Sequence, residues 1–202
     1  MFYSQQNEDR ILFEKYFNYK NGFFIELGAM NGVMYSNTKF FEDSLGWTGI
    51  LIEPTNQFNS LKVNRPKCYN FNCAVSNFDG EIDFLGNQAL GGILHSMHDT
   101  HKIGWGLDKQ TPYKVKSVPF YEITKNINIE RVDFFSIDVE GGELEVLTTF
   151  DWSIPVYLVL IEMADHAKEK DEACRLFLLE KGFKKEMIIG ADEVWININN
   201  KL

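Results

Sequence analysis

The chain has 202 residues, of which 45% are hydrophobic and 24% are charged, and these are ordinary values for a globular domain. Its 17 phenylalanines supply large apolar side chains for a core, so the composition excludes an intrinsically disordered chain. The formal net charge of -9 disfavours a nucleic-acid partner, because phosphate binding depends on clustered Lys and Arg. A local basic group, Lys62, Arg65 and Lys67, is typical of a solvated helix end.

The cysteines and the apolar runs indicate the compartment. Cys68, Cys73 and Cys174 cannot all pair within the chain, and none lies in a Cys-x-x-Cys motif. Reduced thiols in a cytoplasmic protein fit this pattern best. The first residues lack the basic and apolar regions of a leader, and no apolar run approaches roughly 18 residues. We therefore expect a cytoplasmic protein with no membrane partner.

Short apolar runs alternate with longer helical patterns, which predicts a sheet covered by helices on both faces. The pattern predicts helices at residues 8–17, 36–45, 56–63, 142–150 and 167–181. It predicts strands at residues 23–27, 49–52, 68–75, 81–85, 132–137 and 156–161. We expect Ser36 to cap the second helix and Gly46 to end it.

The chain ends with two apolar segments, residues 183–189 and 194–198, which flank a short turn and read as a hairpin. Residues 86–112 have no regular pattern and are long for a connection, so we expect a functional lid or a mobile loop there. The sequence thus predicts one doubly wound, Rossmann-like α/β domain over residues 1–202. Its sheet is expected to have seven strands, mostly parallel, with a C-terminal antiparallel hairpin.

The most informative segment is residues 23–32, where a buried strand runs into a glycine-bearing turn. Nucleotide ligands bind at such carboxyl-end crevices, and Gly28 and Gly32 permit close backbone approach. Their spacing differs from the Gly-x-Gly-x-x-Gly of a dinucleotide site. Glu26 would repel a pyrophosphate but suits the cationic sulfonium and ammonium of S-adenosylmethionine. A plain tight turn between strand and helix is the alternative.

A second carboxylate, Glu53, directly follows the strand at residues 49–52, about one βαβ step beyond the glycine turn. An acidic residue at this position can bind both hydroxyls of a ribose. Glu53 could instead cap a helix or pair with a lysine.

Several linked motifs give the chain a resemblance to the FkbM family of methyltransferases. They are Ser4-Gln5-Gln6-Asn7-Glu8-Asp9-Arg10, Phe24-Ile25-Glu26-Leu27-Gly28-Ala29, Ser36-Asn37-Thr38, Leu51-Ile52-Glu53-Pro54, Ala74-Val75-Ser76 and Ile137-Asp138-Val139-Glu140-Gly141. The resemblance spans nearly the whole chain and implies S-adenosylmethionine-dependent O-methylation on a class I methyltransferase fold. Asn7 departs from the family, where Gly is frequent, which leaves a donor contact from Gln5 or Gln6 open.

The resemblance also implies roles for individual residues in binding S-adenosylmethionine. The methionine end would be lined by Glu26, Gly28 and Ala29, beside the turn glycine Gly32. Glu53 would bind the ribose, and Ala74 and Val75 would lie near the adenine. The border of the donor pocket would be formed by Ser36, Asn37 and Thr38.

Further carboxylates follow the strands at residues 132–137 and 156–161. We expect Asp138 to have a site role, whereas Glu140 could equally stabilise the N-terminus of the next helix. Asp138 and Glu162 together could hold Mg²⁺ or Mn²⁺, which prefer oxygen ligands. They could instead orient the acceptor by hydrogen bonds.

Residues 86–112 contain hinge glycines, imidazoles and Trp105, all suited to a lid over a polar acceptor. His95 and His98 are candidate general bases in addition to Asp138. The alternative for each histidine is a surface position with no catalytic role. The leading hypothesis is methyl transfer to a hydroxyl, and the resemblance favours a sugar or glycan. Another small molecule, an RNA 2'-hydroxyl and a non-catalytic binding domain are the alternatives.

Overall fold

The computed structural model describes residues 1–163 and 167–200. Its strands are β1 Phe23–Leu27, β2 Thr48–Ile52, β3 Tyr69–Phe71, β4 Ala74–Val75, β5 Gly80–Leu85, β6 Gly92–Ile93, β7 Tyr113–Val118, β8 Val132–Ile137, β9 Val156–Glu162, β10 Phe183–Ile189 and β11 Asp192–Asn197. Its α-helices are α1 Glu8–Lys15, α2 Lys39–Leu45, α3 Phe58–Asn64, α4 Asp99–Gly104, α5 Phe120–Thr124, α6 Glu143–Thr149 and α7 Lys168–Glu180.

The main sheet has seven strands in the order β3-β2-β1-β8-β9-β11-β10. Pairing is parallel from β3 through β9, and β11 runs antiparallel to both β9 and β10. This arrangement confirms the predicted mostly parallel, Rossmann-like sheet with its C-terminal hairpin. The carboxyl ends of β1, β2, β8 and β9 therefore meet at one edge.

Apolar side chains alternate between the two faces of this sheet and form one core on each face. In β8, for example, Phe134 joins the core that includes Leu12 of α1 and Phe41 of α2. The next residue, Phe135, joins the opposite core with Val146 of α6. All six residues of β8 are buried, including the polar Asp133 and Ser136, because both faces of the strand are covered.

A second sheet, in the order β4-β7-β5-β6, was not predicted. The strand predicted at residues 68–75 is wrong as one element, since β3 belongs to the main sheet and β4 pairs with β7. The break falls at Asn72, whose side-chain amide donates to the carbonyl of Glu53 at 2.8 Å. The chain bends there to reach the second sheet.

The prediction that residues 86–112 are irregular is also wrong. This segment contains β6, α4 and two short 3-10 turns, Gln88–Leu90 and Leu107–Lys109. The β6 strand pairs with β5 and so extends the second sheet. None of the helices in residues 1–163 and 167–200 is long and apolar enough to cross a membrane.

Hydrogen bonds to the side chain of Ser36 set the residue at which α2 begins. The helix begins at Lys39 rather than at the predicted residue 36, because the Ser36 hydroxyl accepts the N–H groups of Thr38 and Lys39 within the preceding turn. Gly46 ends the helix as predicted, in the left-handed region with φ of 69°.

Candidate functional site

A cavity opens at the carboxyl ends of β1, β2 and β8, beside β4 of the second sheet. We call it the glycine-turn cavity, and it encloses about 590 Å³ including its mouth. Five of the predicted site residues line it: Gly28, Glu53, Ala74, Val75 and Asp138. Side chains from the 86–112 segment, including Ile93, close it on another side.

The glycine turn is required by close packing between two strand ends. Gly28 has φ of 74°, and a Cβ there would lie 2.1 Å from the carbonyl oxygen of Asp138. A Cβ at Gly32, with φ of 79°, would lie 2.6 Å from the Leu61 side chain. Both positions therefore exclude larger residues. Ala29 is buried next to Gly28, outside the residues that line the cavity.

Glu53 lies in the wall of this cavity and is only 3% exposed. Its Oε2 accepts the N–H of Met30 at 2.9 Å, and its Oε1 accepts the N–H of Thr55 at 2.8 Å. Burial raises the pKa of Glu53, while its hydrogen bonds to Thr55 and Met30 lower it. The carboxylate thus joins the turns that follow β1 and β2 and fixes the shape of the cavity.

Glu26 lies outside the residues that line the cavity, although the resemblance predicts a donor contact for it. Its carboxylate accepts hydrogen bonds from the Ser36 hydroxyl at 2.9 Å, the Asn37 N–H at 2.7 Å and the Thr38 hydroxyl at 2.5 Å. Burial raises the pKa of Glu26, and the Arg65 guanidinium at 3.8 Å lowers it. The predicted border residues therefore converge on Glu26.

Arg65 is the residue of this region that sequence reasoning missed. It is fully buried, so its interpretation as part of a solvated basic group is wrong. Its guanidinium donates to the Gly32 carbonyl at 3.1 Å and pairs with Glu42 and Glu26. The sequence around α3 does not indicate that Arg65 is buried, because its partners, Glu26 and Glu42, lie more than 20 residues earlier in the chain.

Three carboxylates come together where β8 and β9 end. Asp138, Glu140 and Glu162 each offer an oxygen, and these oxygens all lie within 4.8 Å of one another. We call them the acidic cluster. The predicted pair of Asp138 and Glu162 is thus close in space, and Glu140, left open by the sequence, joins it. Such oxygens match the ligand preference of Mg²⁺ and Mn²⁺.

The three carboxylates of the acidic cluster repel one another, and a bound proton or cation would relieve this repulsion. Asp138 is exposed and lines the glycine-turn cavity, whose walls still reduce the hydration of its carboxylate. This desolvation, followed by the charges of Glu162 and Glu140, raises the pKa of Asp138 well above its usual range. Burial and the charge of Glu162 likewise raise the pKa of Glu140 to about 8.

A wider opening adjoins the glycine-turn cavity and shares Ala89, Asp138 and Glu140 with it. We call it the acidic cleft, and it encloses about 1520 Å³ including open solvent. Trp105 lines it and is 61% exposed. The two spaces meet at the acidic cluster, so ligands in them could approach each other there.

The histidines of the 86–112 segment differ in position. His95 is exposed and lies outside both spaces. His98 is exposed, and its Nδ1 accepts the N–H of Thr100 at the start of α4. His101, which sequence reasoning did not select, has Nδ1 3.2 Å from Glu140 and lines the acidic cleft. Its helical spacing of three from His98 was the available signal.

Comparison with protein families gives the assignment. The model of the methyltransferase FkbM domain matches residues 26–185, most of the chain. The chain belongs to the FkbM methyltransferase family. The match includes the glycine turn, Glu53 and the acidic cluster, and it confirms the resemblance drawn from the motifs. No curated protein matches the FkbM chain.

Several solved structures are similar to this FkbM protein at low sequence identity. Fibrillarin of Aeropyrum pernix, solved with natively bound S-adenosyl-L-methionine, is 13% identical with a TM-score of 0.46, and the match covers 88% of this chain and 66% of fibrillarin. Human methyltransferase 10 domain containing protein is 11% identical with a TM-score of 0.45, covering 94% and 79%. The pyocyanin biosynthetic protein PhzM is 10% identical with a TM-score of 0.43, covering 95% and 55%.

Proposed function

We propose that the protein transfers a methyl group from S-adenosylmethionine to a hydroxyl oxygen of a sugar or glycan. The observation that carries the proposal is the charge of the glycine-turn cavity. Three carboxylates line it, Glu53, Asp138 and Glu140, and no Lys or Arg is among its lining residues in the part of the chain that the structure describes. This lining would attract a cationic ligand without phosphate, and it would repel the pyrophosphate of a dinucleotide.

The residues of the cavity would hold S-adenosylmethionine in distinct ways. Glu53 would accept hydrogen bonds from the ribose, and Ala74 and Val75 would pack against the adenine. Glu26 would hold the loop at residues 36–38 through its hydrogen bonds. When bound, S-adenosylmethionine supplies an electrophilic methyl group on its sulfonium.

The acidic cleft would hold the acceptor, since it meets the glycine-turn cavity at Asp138 and Glu140. A hydroxyl is a weak nucleophile until its proton is removed. Asp138 would accept that proton or would act through a divalent cation held with Glu140 and Glu162. His98 lines a smaller pocket together with Glu140 and Glu162, so it stays a candidate base. His95 lines neither that pocket nor the acidic cleft.

We propose a cytoplasmic location, which the free thiols of Cys68, Cys73 and Cys174 support. The chain has a net negative charge, and acidic side chains outnumber basic ones in the lining of the cleft. Both observations support a small-molecule or glycan acceptor over a nucleic acid.

The test is incubation with methyl-labelled S-adenosylmethionine and a panel of methyl glycosides, small alcohols and short RNAs, followed by mass analysis of the products. The proposal predicts label on a sugar oxygen. Label on another alcohol or on RNA would replace the acceptor class. Donor binding with no transfer to any member of the panel would contradict the enzymatic function.

The same assay tests the cation. Turnover should fall with a chelator and return with Mg²⁺ or Mn²⁺, and Asp138→Asn should weaken this recovery by removing an anionic ligand. Full turnover in chelator would exclude the metal and leave Asp138 as a base or an orienting group.

A further inference from the structure

The N-terminal motif lies beside the acidic cleft, away from the glycine-turn cavity. Its turn is fixed by Asp9, which is fully buried and whose carboxylate accepts the N–H of Tyr3 at 2.6 Å and the hydroxyl of Ser4 at 2.7 Å. The carboxylate of Glu8 accepts the N–H of Gln6 at 2.8 Å. The backbone around Gln5 is therefore held in one conformation from both sides.

The same segment packs against the turn between β10 and β11. Gly190 in that turn has φ of 61°, and a Cβ there would lie 1.9 Å from the side-chain oxygen of Gln6. The left-handed backbone favours glycine here, and the missing Cβ leaves room for the Gln6 side chain. Both glutamines are exposed, but Gln6 contacts the hairpin, whereas Gln5 lines the acidic cleft together with Gly190 and Ile188.

We propose that the side-chain amide of Gln5 binds the methyl acceptor and selects a neutral, hydroxyl-rich molecule. This inference rests on the proposed function and assigns the N-terminal glutamine to the acceptor rather than to the donor. Gln5 lines the acidic cleft and is absent from the lining of the glycine-turn cavity.

The chemistry of the cleft supports a neutral acceptor. An amide both donates and accepts hydrogen bonds, as the hydroxyls of a sugar do. Trp105 and Ile188 are 61% and 60% exposed on the same cleft and offer flat and apolar surface to the C–H groups of a sugar ring. Arg175 also lines the cleft, but its guanidinium pairs with Glu193 at 3.0 Å. The acidic cluster would therefore repel a phosphate or carboxylate on the acceptor.

Three glutamines give a matched experiment. Gln5 lines the acidic cleft, Gln88 lines the glycine-turn cavity, and Gln110 borders a separate pocket with Pro112. Each is changed to Ala in the full chain. Binding of methyl glycosides is followed by saturation-transfer NMR on protein saturated with S-adenosylhomocysteine, and donor affinity is followed by calorimetry. The KM and kcat of methyl transfer are measured for any glycoside that the wild-type protein methylates.

Gln5→Ala should weaken glycoside binding and raise the acceptor KM about tenfold, the loss expected for one hydrogen bond, with unchanged donor affinity. Gln88→Ala should change donor affinity first, and Gln110→Ala should change neither. Unchanged glycoside binding and acceptor KM in Gln5→Ala would overturn the inference alone. Glycosides that bind through Gln5 but are never methylated would overturn the enzymatic function alone. A wild-type protein that binds none of the glycosides would overturn the inference together with the sugar assignment.

Discussion

The carboxylate of Glu53 joins the turn after β1 to the turn after β2 and is buried in the wall of the glycine-turn cavity. A buried carboxylate that also receives ribose hydroxyls would act through charge-assisted hydrogen bonds, each worth about 1.5–3 kcal/mol. The preceding strand and the glycine turn place it, so its position was predictable from spacing alone. Its two backbone partners were not.

Glu53→Gln should therefore weaken binding of S-adenosylmethionine by roughly tenfold or more. The amide loses the charge, and its NH2 group cannot accept one of the two backbone N–H groups that Glu53 accepts. Calorimetry on the folded variant measures this. Asp133→Asn is the matched control, because Asp133 is a buried carboxylate that accepts the Phe23 N–H at the opposite end of β1. The control should lose stability but keep donor affinity. Wild-type affinity in Glu53→Gln would remove Glu53 from the donor site.

The acidic cluster and its neighbours should make stability depend on pH. Burial and the charge of Glu162 raise the pKa of Glu140 to about 8, and burial and the charge of Glu8 raise the pKa of Asp192 to about 8. In the unfolded chain the pKa values of Asp and Glu are about 3.9 and 4.3. Between these values the native state binds more protons than the unfolded state, so the free energy of unfolding should fall as the pH rises from about 5 to 8.

Urea unfolding across this pH range measures the effect, and Glu140→Gln should reduce the slope by removing one titrating group. If the cluster binds a cation, Mg²⁺ should raise Tm more at pH 8 than at pH 6, because the ionised carboxylates are the ligands. A free energy of unfolding that stays constant or rises over this range would contradict the assigned pKa shifts.

At the level of elements, the long buried strands were predictable and the second sheet was not. β8 and β9 are covered on both faces and consist mostly of apolar residues, so both strands are visible in the sequence. β7 is half exposed and takes its strand conformation from pairing with β5, which lies far away in the sequence. The local hydrophobic pattern of β7 does not show which strand it pairs with.

The segment at residues 92–97 illustrates the same limit, because its structure depends on contacts with other elements. A Cβ at Gly141 would lie 2.5 Å from the carbonyl oxygen of Ser96, so the segment rests directly on the turn after β8. Lys170 of α7 donates to the carbonyls of Ser96 at 2.6 Å and Gly141 at 3.2 Å. A charged side chain thus ties the segment to the edge of the acidic cluster.

Lys170→Met should release residues 92–97, because the apolar side chain cannot donate to the two carbonyls. Hydrogen exchange should become faster in this segment, and methyl transfer should fall while donor affinity is retained. Lys168→Met, at an exposed position on the same helix, is the control. Wild-type exchange rates in Lys170→Met would show that the segment is held by other contacts.

Over the whole molecule, two spaces meet at one group of carboxylates. The glycine-turn cavity and the acidic cleft share Ala89, Asp138 and Glu140. Strand order explains the meeting, since β1 lies next to β8 and β8 next to β9, and their carboxyl ends share one edge. The sequence predicted this edge and the pairing of Asp138 with Glu162. It could not predict that His101 and Gln5, from distant segments, would line the same cleft.

A crystal structure with S-adenosylhomocysteine tests this arrangement most directly. The account predicts the ribose on Glu53, the adenine beside Ala74 and Val75, and the sulfur facing Asp138, with the acidic cleft open to an acceptor. S-adenosylhomocysteine bound in the acidic cleft, or bound with its sulfur away from Asp138, would contradict the account.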